Sequence, residues 1–322
     1  MKFEKLVLVI FALFFFSASA SGAPNDFQPV EVNDINHIFT TIAASTQSNY
    51  QRINTWEGEI EAGKTKRKFT IDMKSNSLFI RFTPMTPTPT TSPRAIILTP
   101  DYGIECSAYT KDSDGKVKQN LVVKSPTSGT ADMMYKKLTL GDPRIYLEGN
   151  MGAPIWDFMQ KTKEFISKNG LEVNGKPAIR IEQRSNGDYV DYCIHIHRHT
   201  PDNQPLGTVM TMTFSGDKSF YMTSRKIQDA NGVLETETAS EYTVVDGIII
   251  PSRIYTVQYA EGEKHREDTI VIMNTRVNQS IPEGSFTYEN LGLKDGDKFI
   301  DKILNKEYRY EAATKKIKPV EK

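Results

Sequence analysis

Cysteine and tryptophan are scarce in this chain, with two of each among 322 residues. Cys106 and Cys193 allow a single pairing, which excludes a disulfide-dense scaffold and leaves apolar burial to carry the fold. Net charge is absent too: 40 basic side chains face 40 acidic ones. The basic excess that marks nucleic-acid binders is therefore missing. Beyond Phe16 no apolar run approaches the ~20 residues needed to cross a bilayer as a helix. Enzymatic signatures are lacking as well, among them a Gly-x-Ser-x-Gly elbow, His-Glu-x-x-His, a phosphate-binding loop and a Gly-rich dinucleotide turn. Nothing in the sequence points to catalysis.

What is present begins at the first residue. Lys2 and Lys5 precede the apolar stretch Leu6–Phe16, which ends in Ser17-Ala18-Ser19-Ala20-Ser21-Gly22-Ala23. A basic start, a short apolar core and an Ala-x-Ala site predict a secretory signal peptide over residues 1–20. Cleavage is expected after Ala20, with Ala23 as the second site. No cysteine follows either site, so bacterial lipid anchoring has no attachment point. The expectation is a periplasmic or secreted protein with no transmembrane segment in the mature chain. An oxidising compartment makes Cys106–Cys193 a candidate disulfide.

After an arm over residues 21–32, Asn33-Asp34 offers an N-cap, and Ile35, Ile38, Phe39 and Ile42 share one helical face. A helix over 34–47 is expected. From Trp56 the period changes to two, predicting strands over 55–61, 66–73, 77–82, 95–99, 103–109 and 118–123. The stretch 84–93 has four prolines among threonines and reads as an exposed loop. Pro154 then opens a second helix, with Ile155, Phe158, Met159, Thr162, Phe165 and Ile166 on one face and Gly170 as its C-cap. Beyond it, seven strands are expected over 178–183, 189–199, 207–214, 219–227, 235–244, 248–259 and 267–277. Asn186-Gly187 and Asp246-Gly247 supply the positive φ of tight hairpins, and such a meander must curl over something apolar or expose its inner face. Residues 312–322 read as a basic, frayed, disordered tail.

Three local pieces carry a resemblance. They are Asn54-Thr55-Trp56-Glu57-Gly58 at the first strand, Ile227-Gln228-Asp229-Ala230-Asn231-Gly232-Val233 as a hairpin, and Val245-Asp246-Gly247-Ile248-Ile249-Ile250-Pro251-Ser252 as a link. With the order helix, strands, helix, meander, the chain resembles the outer-membrane lipoprotein-sorting superfamily, the LolA/LolB-like fold. The resemblance implies a mainly β (α+β) half-barrel domain over 33–311. Its curled antiparallel sheet would form an incomplete β-barrel, with helices packed on the concave side and acyl chains held there. The lid-closing arginine of the periplasmic carrier has no counterpart in this sequence.

Two constellations suggest ligands. Met210, Met212 and Phe214 alternate along one strand, and methionine suits adaptable apolar cavities. With Trp156 and Met159 on the second helix they form a candidate lining for a hydrophobic small molecule, a lipid or a lipoprotein acyl chain. Ordinary core packing explains the same stripe. Cys193-Ile194-His195-Ile196-His197-Arg198-His199 places Cys193, His195, His197 and His199 on one face of a strand. His195, His197 and His199 are candidate ligands for zinc or copper, against a plain polar face with Ile194 and Ile196 in the core. A thiol and imidazole two residues apart are not expected to converge as a nucleophilic pair. Asp295, Asp297 and Asp301 lack the pattern of a calcium loop and read as a solvated turn. Three readings follow: an exported soluble binder of an apolar ligand, a metal-binding or metal-sensing envelope protein, and a non-catalytic envelope scaffold whose partners are other envelope proteins.

Overall fold

The computed structural model describes residues 26–84, 95–111, 117–127, 142–149, 153–173, 175–199 and 205–320. The expected signal peptide, the start of the arm and most of the proline-threonine loop lie outside these residues. The chain opens with β1 (Gln28–Pro29) and α1 (Ile35–Gln51), then β2 (Thr55–Ala62), β3 (Thr65–Asp72) and β4 (Ser77–Pro84). Next come β5 (Ala95–Leu98), β6 (Tyr102–Lys111), β7 (Val117–Pro126), the one-turn α2 (Arg144–Leu147) and α3 (Ile155–Asn169). A small hairpin, β8 (Glu172–Val173) with β9 (Lys176–Pro177), leads into the meander. That meander runs β10 (Ile179–Asn186), β11 (Tyr189–His199), β12 (Pro205–Ser215), β13 (Tyr221–Gln228), β14 (Leu234–Val245), β15 (Ile248–Ala260) and β16 (Glu263–Val277). Three short strands follow: β17 (Lys298–Asp301), β18 (Lys306–Glu311) and β19 (Lys316–Pro319).

All strands except the β8–β9 hairpin belong to one 17-stranded sheet. Its two antiparallel runs, β10 to β16 and β2 to β7, are joined where β16 pairs with β2, Ile272 opposite Ile60. β1 pairs with β10 at one end. At the other, β17 lies parallel to β7 and carries β18 and β19 outward. Among the described residues β1 and β19 each pair on one side only, so the sheet is open, as in an incomplete barrel. None of the described helices is long and apolar enough to cross a membrane.

Alternation decides which side chains go where. On β2, Trp56 and Ile60 are buried, and with Phe69 and Ile71 of β3 and Leu78 and Ile80 of β4 they form one apolar cluster. Tyr146 and Leu147 of α2 pack into it. Gly58 is required here: a Cβ would lie 2.9 Å from the ring of Phe69, which stands edge-on to Trp56 at 5.1 Å. A second cluster forms where α1 and α3 lie on β10–β13. The third lies on the opposite face of β4–β7, where Phe79, Ile97 and Val122 meet Leu291 and Phe299 of the closing segment. The sheet is thus covered on both faces near β4.

α1 buries the expected Ile35, Ile38, Phe39 and Ile42 but runs to Gln51, past the expected end at 47. The same stripe continues through buried Thr46 and Asn49, polar residues that an apolar count passes over. α3 begins after Pro154 and ends at Gly170, whose φ is 78°. Asp246 and Gly247, at φ 50° and 73°, make the tight turn between β14 and β15.

Several expectations need correction. Residues 316–319 form β19, paired to β18 with Tyr310 opposite Ile317, so this part of the tail is tied to the sheet. No disulfide joins Cys106 and Cys193. Cys106 packs among Phe79, Ile97 and Val122, while Cys193 lies on β11. In the sheet, β12 to β16 and β2 to β5 stand between those strands, whereas a disulfide needs its Cα atoms within about 7 Å. Asp297 and Asp301 are 1% and 4% exposed, so two acids of the expected solvated turn are buried, while Asp295 is exposed as expected. Asp297 accepts from the Asn120 backbone N–H and side-chain amide, each at 2.7 Å, and from the Lys294 N–H at 2.7 Å.

Candidate functional site

The candidate apolar residues come together. Trp156 and Met159 of α3 share a cluster with Met210, Met212 and Phe214 of β12, beneath Ile38 and Ile42 of α1. Met159, Met212 and Phe214 are wholly buried, while Trp156 and Met210 are partly exposed. Met222 of β13 joins the same cluster, a residue the sequence reading did not single out. The Trp156 ring sits 4.9 Å from that of Tyr50, tying α3 to α1.

The other face of the same strands is polar. Alternation sends Ile194 and Ile196 inward to the cluster and Cys193 and His195 to the opposite side. There His195 Nε2 lies 3.2 Å from Glu182 Oε2 and 3.5 Å from Cys193 Sγ. His195 Nδ1 is 3.0 Å from the Thr211 hydroxyl. The thiol and imidazole therefore converge, contrary to expectation. Glu182, directly across from Cys193 in the ladder, and Thr211, across from His195, hold the ring between them. Burial pushes the Cys193 thiol pKa up, against a hydrogen bond with Thr213 and the nearby Arg180 and Arg184.

Donor atoms of Glu182, Cys193 and His195 all lie within 4.8 Å of one another. Of the three candidate histidines, His195 alone belongs to this group. The side chain of His199 lies outside the described residues, and the backbone N–H of His197 donates to Ala178 O at 2.8 Å. Glu182 was missed by the sequence reading, although a signal existed. Counting outward from the Asn186-Gly187 turn pairs Asn186 with Tyr189 and hence Glu182 with Cys193.

Two polar features had no sequence signal. Arg144 of α2 is 1% exposed and is held bidentately by Asp142, with Nη2 2.6 Å from Oδ2 and Nε 3.0 Å from Oδ1. Asn76 accepts from its other terminal nitrogen. Beside it, Tyr50 donates to Glu148 at 3.2 Å, and burial, with the Glu148 carboxylate, raises the Tyr50 phenol pKa. The second feature is a groove of about 850 Å³ where β2–β4 and β16 meet residues 282–290. Its walls carry Glu57, Glu59, Lys68, Arg81 and Arg276. Arg276 pairs with Glu57 at 2.7 Å, and Phe69 and Phe79 also line the groove, so its walls are mixed in polarity.

No family model matches the chain, and no curated protein does either. Solved structures do. A DUF1329 family protein from Desulfovibrio piger is 10% identical, covering 80% of this chain and 99% of its own, with a TM-score of 0.41. A LolA superfamily protein from Nitrosomonas europaea is also 10% identical, over 77% of this chain and 98% of its own, with a TM-score of 0.34. A domain assigned to outer membrane lipoprotein sorting, from Vibrio parahaemolyticus, is 9% identical over 77% and 97%, with a TM-score of 0.36. The chain is similar to a DUF1329 family protein and to members of the LolA superfamily, the latter being the group its sequence motifs resemble.

Proposed function

We propose that this chain is an exported, soluble binding protein for a lipid, acyl chain or other apolar ligand. The ligand is taken up on the helix-covered face of the open sheet, which serves as the concave side of an incomplete barrel. One observation carries the reading: Met159, Met210, Met212 and Met222 converge under α3. Unbranched thioether side chains repack readily, so a methionine-rich cluster can admit a chain of variable shape. α3 is also the less deeply seated helix, burying Ile155, Met159 and Thr162 where α1 buries six residues. Lifting α3 therefore costs less than lifting α1. An acyl chain of about a dozen methylenes gains roughly 10 kcal/mol of gross burial energy, which counts against the cost of that displacement.

Native mass spectrometry of freshly purified protein is expected to show bound lipid, and stripped protein should take up a fluorescent fatty acid saturably. Met210→Gln and Trp156→Ala, both at partly exposed positions, should weaken uptake about tenfold, since one lost apolar contact is worth about 1.4 kcal/mol or more. Absence of both co-purified lipid and saturable uptake would overturn the reading.

A further inference from the structure

We propose that Glu182, Cys193 and His195 form a three-ligand zinc site on the polar face of the β10–β11 hairpin. The donor set is one thiolate sulfur, one imidazole nitrogen and one carboxylate oxygen, a combination zinc accepts and one too hard for a copper(I) site. Two of the three donor separations fit closely, and all three donor atoms lie within 4.8 Å of one another. A tetrahedral zinc with ordinary bond lengths holds its sulfur and nitrogen ligands about 3.6 Å apart and its nitrogen and oxygen ligands about 3.3 Å apart. Here Cys193 Sγ and His195 Nε2 are 3.5 Å apart, and His195 Nε2 and Glu182 Oε2 are 3.2 Å apart.

The surrounding contacts suit this assignment. The Thr211 hydroxyl, 3.0 Å from His195 Nδ1, can accept a hydrogen bond from Nδ1–H and leave Nε2 with its lone pair facing the other donors. Arg180 holds the far oxygen of Glu182, Oε1, so Oε2 is the one turned toward His195. Ile181 and Ile194, the ladder neighbours on the inner face, are buried in the helix-covered core and hold both strands in place. His195 keeps 25% of its side-chain surface exposed, giving an ion a path in. On binding, the Cys193 thiol releases its proton to solvent, and two negative ligands balance the dication. A fourth coordination position stays open to water, as in zinc sites with three protein ligands.

The test uses the full chain, stripped with chelator and titrated with zinc against a chromogenic competitor. One zinc per chain is expected. Cys193→Ser and His195→Ala should each weaken binding about a hundredfold and Glu182→Gln about tenfold, while His197→Ala stays within about twofold. Cobalt(II) should give a thiolate-to-metal absorption band that Cys193→Ser removes. In the unmutated protein, zinc should protect one thiol from alkylation, a readout that needs no variant to fold. Substoichiometric uptake, a cobalt band that survives Cys193→Ser, or no thiol protection would overturn the proposal. Fatty-acid uptake concerns the opposite face, so its failure and this one are distinguishable.

Discussion

Tyr146 and Tyr221 carry phenols whose pKa burial pushes up to about 12. Below pH 10 both the folded and unfolded chains keep these protons, and the contribution to stability is complete. Between pH 10 and 12 the unfolded chain releases protons that the fold retains, so stability falls as pH rises, by about 3 kcal/mol per tyrosine. Alkaline titration by absorbance should show these two phenols ionising together with loss of circular dichroism, whereas exposed tyrosines ionise earlier. A second residue-scale expectation concerns Arg144. Asp142→Ala leaves a buried guanidinium short of its carboxylate and should cost about 3–5 kcal/mol, read from the urea midpoint. Sequence legibility differs between these sites. The shared face of Cys193 and His195 follows from a period of two, and Glu182 follows from counting back through one turn. Nothing in Asp142-Pro143-Arg144 tells it from an exposed turn, because its burial depends on Asn76 and Tyr50, far along the chain.

At the scale of elements, Asn49 of α1 makes a two-way hydrogen-bond contact with the sheet that adds to the apolar packing of the helix. Asn49 Nδ2 donates to Ile249 O at 2.9 Å, and its Oδ1 accepts from the Ile249 N–H at 2.9 Å, copying a ladder partner for β15. Nδ2 also donates to the Tyr221 hydroxyl at 3.1 Å. Asn49→Ala orphans a buried N–H and a carbonyl, so a loss of about 2–4 kcal/mol is expected in denaturant titration. A smaller loss would mean that water replaces the amide. The long strands were legible because Asn-Gly and Asp-Gly turns separate clean alternations. β17 to β19 were not. They are short and charge-rich, and their pairing depends on β7, which lies far upstream.

For the whole molecule, the closing segment from Asn278 to Val320 matters more than its short strands suggest. Leu291 and Phe299 cover Phe79, Ile97, Ile104 and Val122, and Asp297 pins the segment to Asn120. Asp297→Ala should loosen this lid by about 3 kcal/mol. Hydrogen exchange is then expected to quicken over residues 282–320 and on β6 and β7, leaving α1 and α3 protected. Uniform quickening across the chain would show the segment and the rest to be a single cooperative unit. The Asn120–Asp297 contact spans 177 positions. A ribosome therefore releases the outer face of β4–β7 long before the residues that shelter it exist. Until then that apolar face lacks its native cover.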